Sequence, residues 1–286
     1  MKRNEPLWRR TSLRVGGTAV YFAAPSSVDA LRKQLAWAYR SGIPVAILGG
    51  GTNVVFSDAG YEGLVLHTGA LRGRSVEGGA HLRVAAGERL AGIAWWAAGQ
   101  GLSGLEWAAG IPGTIGGAVT MNAGTKEGTM AERLISVEWL RADGRVESVP
   151  AAALHLGYRT SALQDETNGA IVVAATMALH RDDPGRCVAR ARTTIEERLG
   201  RLPLGASAGS IFRNPASGPT AGRLLDDVGC KGLRVGEAVV SSRHANVIVN
   251  GGTNNGDDVI ELIERMKQRV LDASGIKLEE EVVLYT

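Results

Sequence analysis

Apolar positions recur along this chain with two alternating periods, one helical and one extended. In SSVDALRKQLAWAYRSG, Val28, Leu31, Leu35 and Ala38 fall at the spacing of one helix face. Ser26 or Ser27 is placed to cap that helix and Gly42 to end it. The apolar run IPVAIL then reads as a buried strand entering Gly49-Gly50-Gly51. YEGLVLHT and the alternating AHLRVAAG predict further strands, and a second helix is expected from about Glu88 to Gly101. ISVEWLRADGRVESV predicts a hairpin turning at Asp143-Gly144, and AIVVAATMAL another strand. From Asp182 the character changes. RCVARARTTIEERLGR is a charged helix, and Asn255-Gly256-Asp257 opens a helix with Val259, Ile260, Ile263, Met266 and Val270 on one face and Gly275 at its end. KLEEEVVLYT predicts a closing strand. The pattern implies an α+β protein with a domain over residues 1–180 and a smaller one over 181–286.

Composition narrows the function classes. With 44% hydrophobic and 21% charged residues the chain is globular rather than disordered. The net charge of +3 is too small and too scattered to suggest nucleic acid. Between Leu90 and Thr125 the only charge is Glu106, but glycines and Pro112 interrupt the stretch, so no membrane span is expected. Cys187 and Cys230 lie far apart without a Cys-x-x-Cys pair, and MKRNEPLWRR lacks the apolar core of a signal peptide; a cytoplasmic protein is expected. His67, His81, His155 and His180 show no metal-ligand spacing, and no metal is expected.

The 39 glycines cluster, which points to close approach between backbone and ligand. GGGTN follows a strand, but a dinucleotide fingerprint fails because Val54 stands where the last glycine belongs. The second cluster runs from Gly110 to Gly124. Pro112 fixes one backbone angle, Gly113, Gly116 and Gly117 remove obstructing side chains, and a helix beyond Thr114 would turn its first N–H groups toward a pyrophosphate. Two such loops favour a long, doubly phosphorylated cofactor over either loop being a plain turn. A third stretch, AGSIFRNP, holds Ser210 in a turn braced by glycine and proline; a serine there commonly bonds to nearby backbone.

LGGGTNVVFSD, GLSGLEWAAGIPGTIGGAVTMNAG, YRTS, AGSIFRNP and SRHANVIVN occur in this order, and with them the chain resembles the UDP-N-acetylmuramate dehydrogenase (UDP-N-acetylenolpyruvoylglucosamine reductase) family over nearly its whole length. It is similar to the shorter subtype, which lacks an extra loop near the substrate. The resemblance implies a p-cresol methylhydroxylase-type FAD-binding domain of two α+β subdomains, here split near 68–72, followed by an α+β substrate-binding domain whose final strand returns toward the active site. It implies that NADPH reduces FAD, that reduced flavin passes hydride to the enolpyruvyl double bond of UDP-N-acetylglucosamine-enolpyruvate, and that a proton completes UDP-N-acetylmuramate for peptidoglycan.

By the same resemblance, FAD would be held by Gly49, Gly50, Gly51, Thr52, Asn53 and Val54, by Gly110, Ile111, Pro112, Gly113, Thr114, Gly116, Gly117, Asn122 and Gly124, and by Arg159 and Arg213. Ser210 would be the proton donor. A hydroxyl is a weak acid and serves only a strongly basic acceptor within hydrogen-bond reach. Arg159 would hold the substrate carboxylate through its planar guanidinium. Among Glu279, Glu280 and Glu281, a strand would put the first and last on one face; the family acid precedes a valine, which selects Glu281. Arg201, Asn214, Lys231, Ser241, His244 and Asn246 match the diphosphate and uridine side. One departure is TKEGTM after MNAG, where many relatives carry an aromatic-glycine pair. A generic FAD oxidase of the same fold, or a binding protein without turnover, are the competing readings.

Overall fold

The computed structural model describes residues 1–286 apart from 166–168, 202 and 204, with the backbone alone at Arg201. Its α-helices are α1 (Val28–Arg40), α2 (Leu90–Gly99), α3 (Ile115–Thr120), α4 (Pro184–Arg201), α5 (Ala221–Asp227) and α6 (Asp257–Ser274), interleaved with short strands in an α+β arrangement. The chain folds into two compact units that are not consecutive in sequence. Phe22–Gly50 and Gly63–Arg198 make the first; Lys2–Tyr21, Gly51–Glu62 and Leu199–Thr286 make the second.

In the first unit the antiparallel sheet has the order Val146–Pro150, Leu134–Leu140, Ile171–Ala178, His81–Ala85, Arg74–Glu77. Its core gathers Leu82, Val84, Ile93, Val119, Val137 and Met177. The expected hairpin closes as Leu140 pairs with Val146; Gly144 takes φ +85° and the Arg145 N–H donates to Asp143 Oδ1 at 2.9 Å. Ser27, not Ser26, caps α1, accepting from the Ala30 N–H at 3.2 Å, and the periodic Leu31, Leu35 and Ala38 are buried. α2 starts two residues later than the pattern predicts. Glu88 is held outside it because its carboxylate accepts the Gly73 N–H at 3.1 Å and its carbonyl accepts the Ile115 N–H at 2.9 Å.

The second unit is built on an antiparallel sheet ordered Ala206–Ser207, Ile248–Asn250, Ala238–Val240, Arg234–Val235. α6 buries Val259, Leu262, Ile263, Met266 and Val270 in a core with Val55, Phe212, Leu225 and Ile248. Each such side chain removed from water contributes about 1.5–3 kcal/mol. Gly275, at φ +69°, ends α6 as expected, its N–H donating to the Leu271 carbonyl at 2.8 Å.

The closing strand is shorter than the sequence predicts. Only Val283–Tyr285 is extended, pairing in parallel with Val54–Phe56, and Tyr285 stacks on Phe56 with ring centroids 4.6 Å apart. Glu279–Glu281 lie before that strand, where Glu280 makes an isolated bridge with Phe212 and its carboxylate takes Lys267 of α6 at 2.6 Å. The shared-face reading of Glu279 and Glu281 therefore does not apply. Among the described residues no helix is long and apolar enough to cross a membrane.

Candidate active site

In the first unit the two glycine loops touch backbone to backbone. A Cβ on Gly49 would lie 2.5 Å from Thr114 Oγ1, and one on Gly50 would lie 2.9 Å from Gly113 Cα. Only glycine permits that approach. Thr114 Oγ1 is buried at this contact and has no hydrogen-bond partner among the described residues. A buried hydroxyl left so costs about 1–3 kcal/mol, which a polar ligand group can recover. A cradle of bare backbone with one orphaned donor fits the pyrophosphate of FAD.

The helix N-terminus contributes less than the sequence suggests. The first N–H groups of α3, those of Ile115 and Gly116, already donate to the carbonyls of Glu88 and Ala86 at 2.9 Å each. Gly116 is a packing position, since an added Cβ would meet the Ala86 Cβ at 3.1 Å. Gly117 is exposed and Gly113 takes φ +110°, so these two, with Gly49 and Gly50, present the open backbone. Pro112 is exposed, and Ile111 donates its N–H to the Ala108 carbonyl at 3.0 Å.

Arg159 sits at φ +56°, a left-handed conformation that strains a non-glycine residue and concentrates at functional sites. The loop is pinned onto the end of α3. Ser161 Oγ donates to the Thr120 carbonyl at 2.6 Å, Gln164 Nε2 to the Arg159 carbonyl at 3.0 Å, and Asn122 Nδ2 to the Gly157 carbonyl at 2.7 Å. Arg159 Nη2 in turn donates to the Gly124 carbonyl at 2.8 Å. Asn122, with its Oδ1 accepting the Ala131 N–H at 3.0 Å, is committed to holding this loop.

Arg198, in the sequence one charge of a charged helix, belongs to the same neighbourhood. Its side chain packs over Gly110, whose added Cβ would lie 3.0 Å from Arg198 Cδ, and its Nε is buried with no partner among the described residues. Burial and then the Arg159 charge push its guanidinium below the usual arginine range, with Glu127 opposing them. Two guanidiniums that repel one another favour an anion between or beside them. The glycine at Gly110, seven residues before Gly117 in the quoted motif, was the available signal that something packs there.

In the second unit Ile211, the residue after Ser210, is joined to Glu281 through the backbone. The Glu281 N–H donates to the Ile211 carbonyl at 2.7 Å, and the Arg213 N–H to the Glu279 carbonyl at 2.9 Å. Asn53 Nδ2 donates to the Glu281 carbonyl at 2.9 Å. Ser210 is half-buried, and its hydroxyl makes no hydrogen bond to any described residue, so the ordinary turn-serine reading does not describe it. Gly51, at φ +64°, leaves 2.0 Å between an added Cβ and the Arg10 carbonyl oxygen; Thr52 is half-buried, and Val54 opens the strand that pairs with Val283.

The residues expected on the nucleotide side divide. Arg201's side chain lies outside the described residues. Asn214 Oδ1 accepts the Ala221 N–H at 3.0 Å, at the start of α5. Lys231 pairs with Asp226 at 2.7 Å. Ser241 Oγ accepts the Arg243 N–H at 3.1 Å, and His244 Nδ1 accepts the Asn246 N–H at 3.2 Å, which leaves Nε2 as the donor of the neutral ring. Burial first, and then the Lys231 charge, lower the His244 pKa, against Asp226. Asn246 is buried, and both ends of its amide are taken by Phe212: Oδ1 accepts the Phe212 N–H and Nδ2 donates to its carbonyl, each at 2.9 Å.

Residues 19–149 match the family described as FAD binding domain, and residues 201–285 match UDP-N-acetylenolpyruvoylglucosamine reductase, C-terminal domain. A UDP-N-acetylenolpyruvoylglucosamine reductase of Synechococcus sp. is 42% identical over 278 residues, spanning 97% of this chain and 88% of the relative. That of Moorella thermoacetica is 42% identical over 283 residues, 99% and 92% respectively. The crystal structure of the UDP-N-acetylenolpyruvylglucosamine reductase of Thermus caldophilus superposes with a TM-score of 0.84 at 36% identity, covering 98% of this chain and 97% of that one. Likeness of this extent, over a glycine cradle that fits FAD, shows that the chain belongs to the UDP-N-acetylenolpyruvoylglucosamine reductases, the FAD-dependent oxidoreductases of peptidoglycan precursor synthesis.

Proposed function

We propose that this chain reduces the enolpyruvyl ether of UDP-N-acetylglucosamine-enolpyruvate to UDP-N-acetylmuramate with NADPH as reductant. Residues 1–180 are the FAD-binding domain, split near 68–72, and 181–286 the substrate-binding domain. The observation that carries the reading is the Ser210 hydroxyl, which bonds to no described residue while the backbone on its C-terminal side is held by Asn246 and Glu281.

Gly49, Gly50, Gly113, Thr114 and Gly117 would hold the pyrophosphate of FAD, which when bound supplies the hydride. The protein must then bind the substrate, draw charge toward its carboxylate and deliver one proton. Arg159 takes the carboxylate through two parallel N–H donors, and Arg198 adds a second cation for the anionic substrate. As charge builds on the carbon next to the carboxylate, the Ser210 hydroxyl gives its proton to that carbon. Glu281 orients the same end of the substrate. Asn214, Lys231, Ser241 and His244 lie toward the nucleotide, with Arg201 and Arg213 on the phosphate side. The two buried free cysteines are in keeping with a reducing cytoplasmic setting.

The test is turnover by the FAD-loaded protein. NADPH oxidation that requires UDP-N-acetylglucosamine-enolpyruvate is expected. Oxidation of NADPH at the expense of molecular oxygen, unchanged by that substrate, would favour a generic flavin oxidase; binding without NADPH consumption would favour a sensor.

A further inference from the structure

The turn that carries Ser210 is held by an unusual pair of side chains. Asn246 is 4% exposed and offers Phe212 an acceptor and a donor on one planar amide, at 2.9 Å each, while its own carbonyl accepts the Ile211 N–H at 2.9 Å. This amide copies what a neighbouring strand would provide. Aspartate would set a carboxylate oxygen against the Phe212 carbonyl, and alanine would leave a buried N–H and C=O unpaired. The Ile211 carbonyl accepts the Glu281 N–H at 2.7 Å, and the Glu281 carbonyl accepts Asn53 Nδ2 at 2.9 Å. Asn53 is itself fixed, because its carbonyl accepts the Val283 N–H at 3.0 Å. The hydrogen bonds therefore run without a gap from Asn246 through Phe212, Ile211 and Glu281 to Asn53.

We propose that Asn246 and Asn53 are positioning residues for the reduction, a two-asparagine brace that fixes Ser210 and Glu281 in one backbone register. This rests on the reading of those two as the proton donor and its companion acid. It gives Asn246 a role apart from the nucleotide binding that the family motif suggests, since Oδ1 and one N–H of its amide are engaged by Phe212. Proton transfer from a weak acid is steeply sensitive to the donor's position, so loosening the turn slows that step and leaves substrate affinity in place.

The experiment uses FAD-loaded enzyme and three variants, Asn246→Ala, Asn246→Gln and Ser210→Ala. Three quantities are read: NADPH-driven bleaching of the flavin, the Kd for UDP-N-acetylglucosamine-enolpyruvate from the shift of the flavin spectrum, and the rate at which that substrate reoxidises pre-reduced enzyme in H2O and in D2O. For Asn246→Ala, reoxidation slowed about tenfold or more, with Kd changed by less than about tenfold and a larger solvent isotope effect, is the expected result. Asn246→Gln, which keeps donor and acceptor, recovers part of the rate. Any other outcome for Asn246→Ala, a Kd rise of about tenfold or more included, overturns the brace. If Asn246→Ala does not fold, Asn53→Ser at a half-buried position is held to the same criteria. Normal reoxidation by Ser210→Ala refutes the proton-donor reading instead, whereas slow Ser210→Ala beside normal Asn246→Ala refutes the brace alone.

Discussion

The main-chain N–H of Glu281 donates to the carbonyl of Ile211 at 2.7 Å, which ties the C-terminal acid to the residue following Ser210 although 70 positions separate the two in the sequence numbering. Replacing Ser210 by alanine leaves that bond intact. Flavin reduction by NADPH is therefore expected to survive, while reoxidation by the enolpyruvyl substrate falls by about 10³-fold, as stopped-flow absorbance would show.

Arg159 and Arg198 separate charge from folding. Arg198→Met removes a cation whose Nε is buried without a partner among the described residues and keeps the packing over Gly110. Substrate affinity is expected to fall about tenfold, with thermal stability equal or higher, because a partly buried cation repelled by Arg159 is lost. Isothermal titration and a melting curve check the two parts separately.

The contact between glycine loops predicts cofactor loss. In Gly50→Ala the new methyl would stand 2.9 Å from Gly113 Cα, backbone that cannot step aside as a flexible side chain can. Overpacking of this kind costs about 1–3 kcal/mol. If that cost falls on the FAD-binding state, FAD affinity is expected to drop by about 5- to 140-fold, read from the fluorescence of released flavin. Gly99→Ala, at the exposed end of α2 where an added Cβ meets nothing within 4 Å, is the control for the cradle.

His244 gives a pH dependence of defined sign. Its folded pKa lies below the ordinary value of about 6.5, so the unfolded chain binds its proton first and stability falls as pH drops through that value toward the lowered one. Above about 6.5 both states are neutral and the effect vanishes. Protonation at Nδ1 also removes the acceptor of the Asn246 N–H. Melting temperatures between pH 5 and 7 should decline less steeply toward acid in His244→Asn than in the parent protein.

Helices and the hairpin were legible because their signals are local: the α1 cap, the Asp143-Gly144 turn and Gly275 each act within a few residues. The order of motifs was enough to identify the family and its cofactor. What sequence could not supply was the use made of each polar group. Asn246 and Asn122 read as ligand-contacting asparagines, yet their amides hold Phe212 and the Gly157 loop, contacts separated by 34 and 35 positions. Glu279–Glu281 read as strand because the β-rich VVLY follows them, whereas the bond from Glu280 to Lys267 and the bridge to Phe212 set that segment apart. Arg198 was hidden among the exposed charges of α4, and only its packing over Gly110 sets it apart.

The pairing of Val54–Phe56 with Val283–Tyr285 has a consequence for biosynthesis. Asn53 and Glu281, joined by a side-chain hydrogen bond, stand 228 positions apart, so the early segment Gly51–Glu62 emerges from the ribosome long before its strand partner exists. Until Val283–Tyr285 has been made, that segment exposes an unpaired edge whose closure carries a loop entropy. A nascent chain stalled before Glu281 would therefore lack the backbone bond to Ile211 beside Ser210 and carry an open strand, a species suited to chaperone capture.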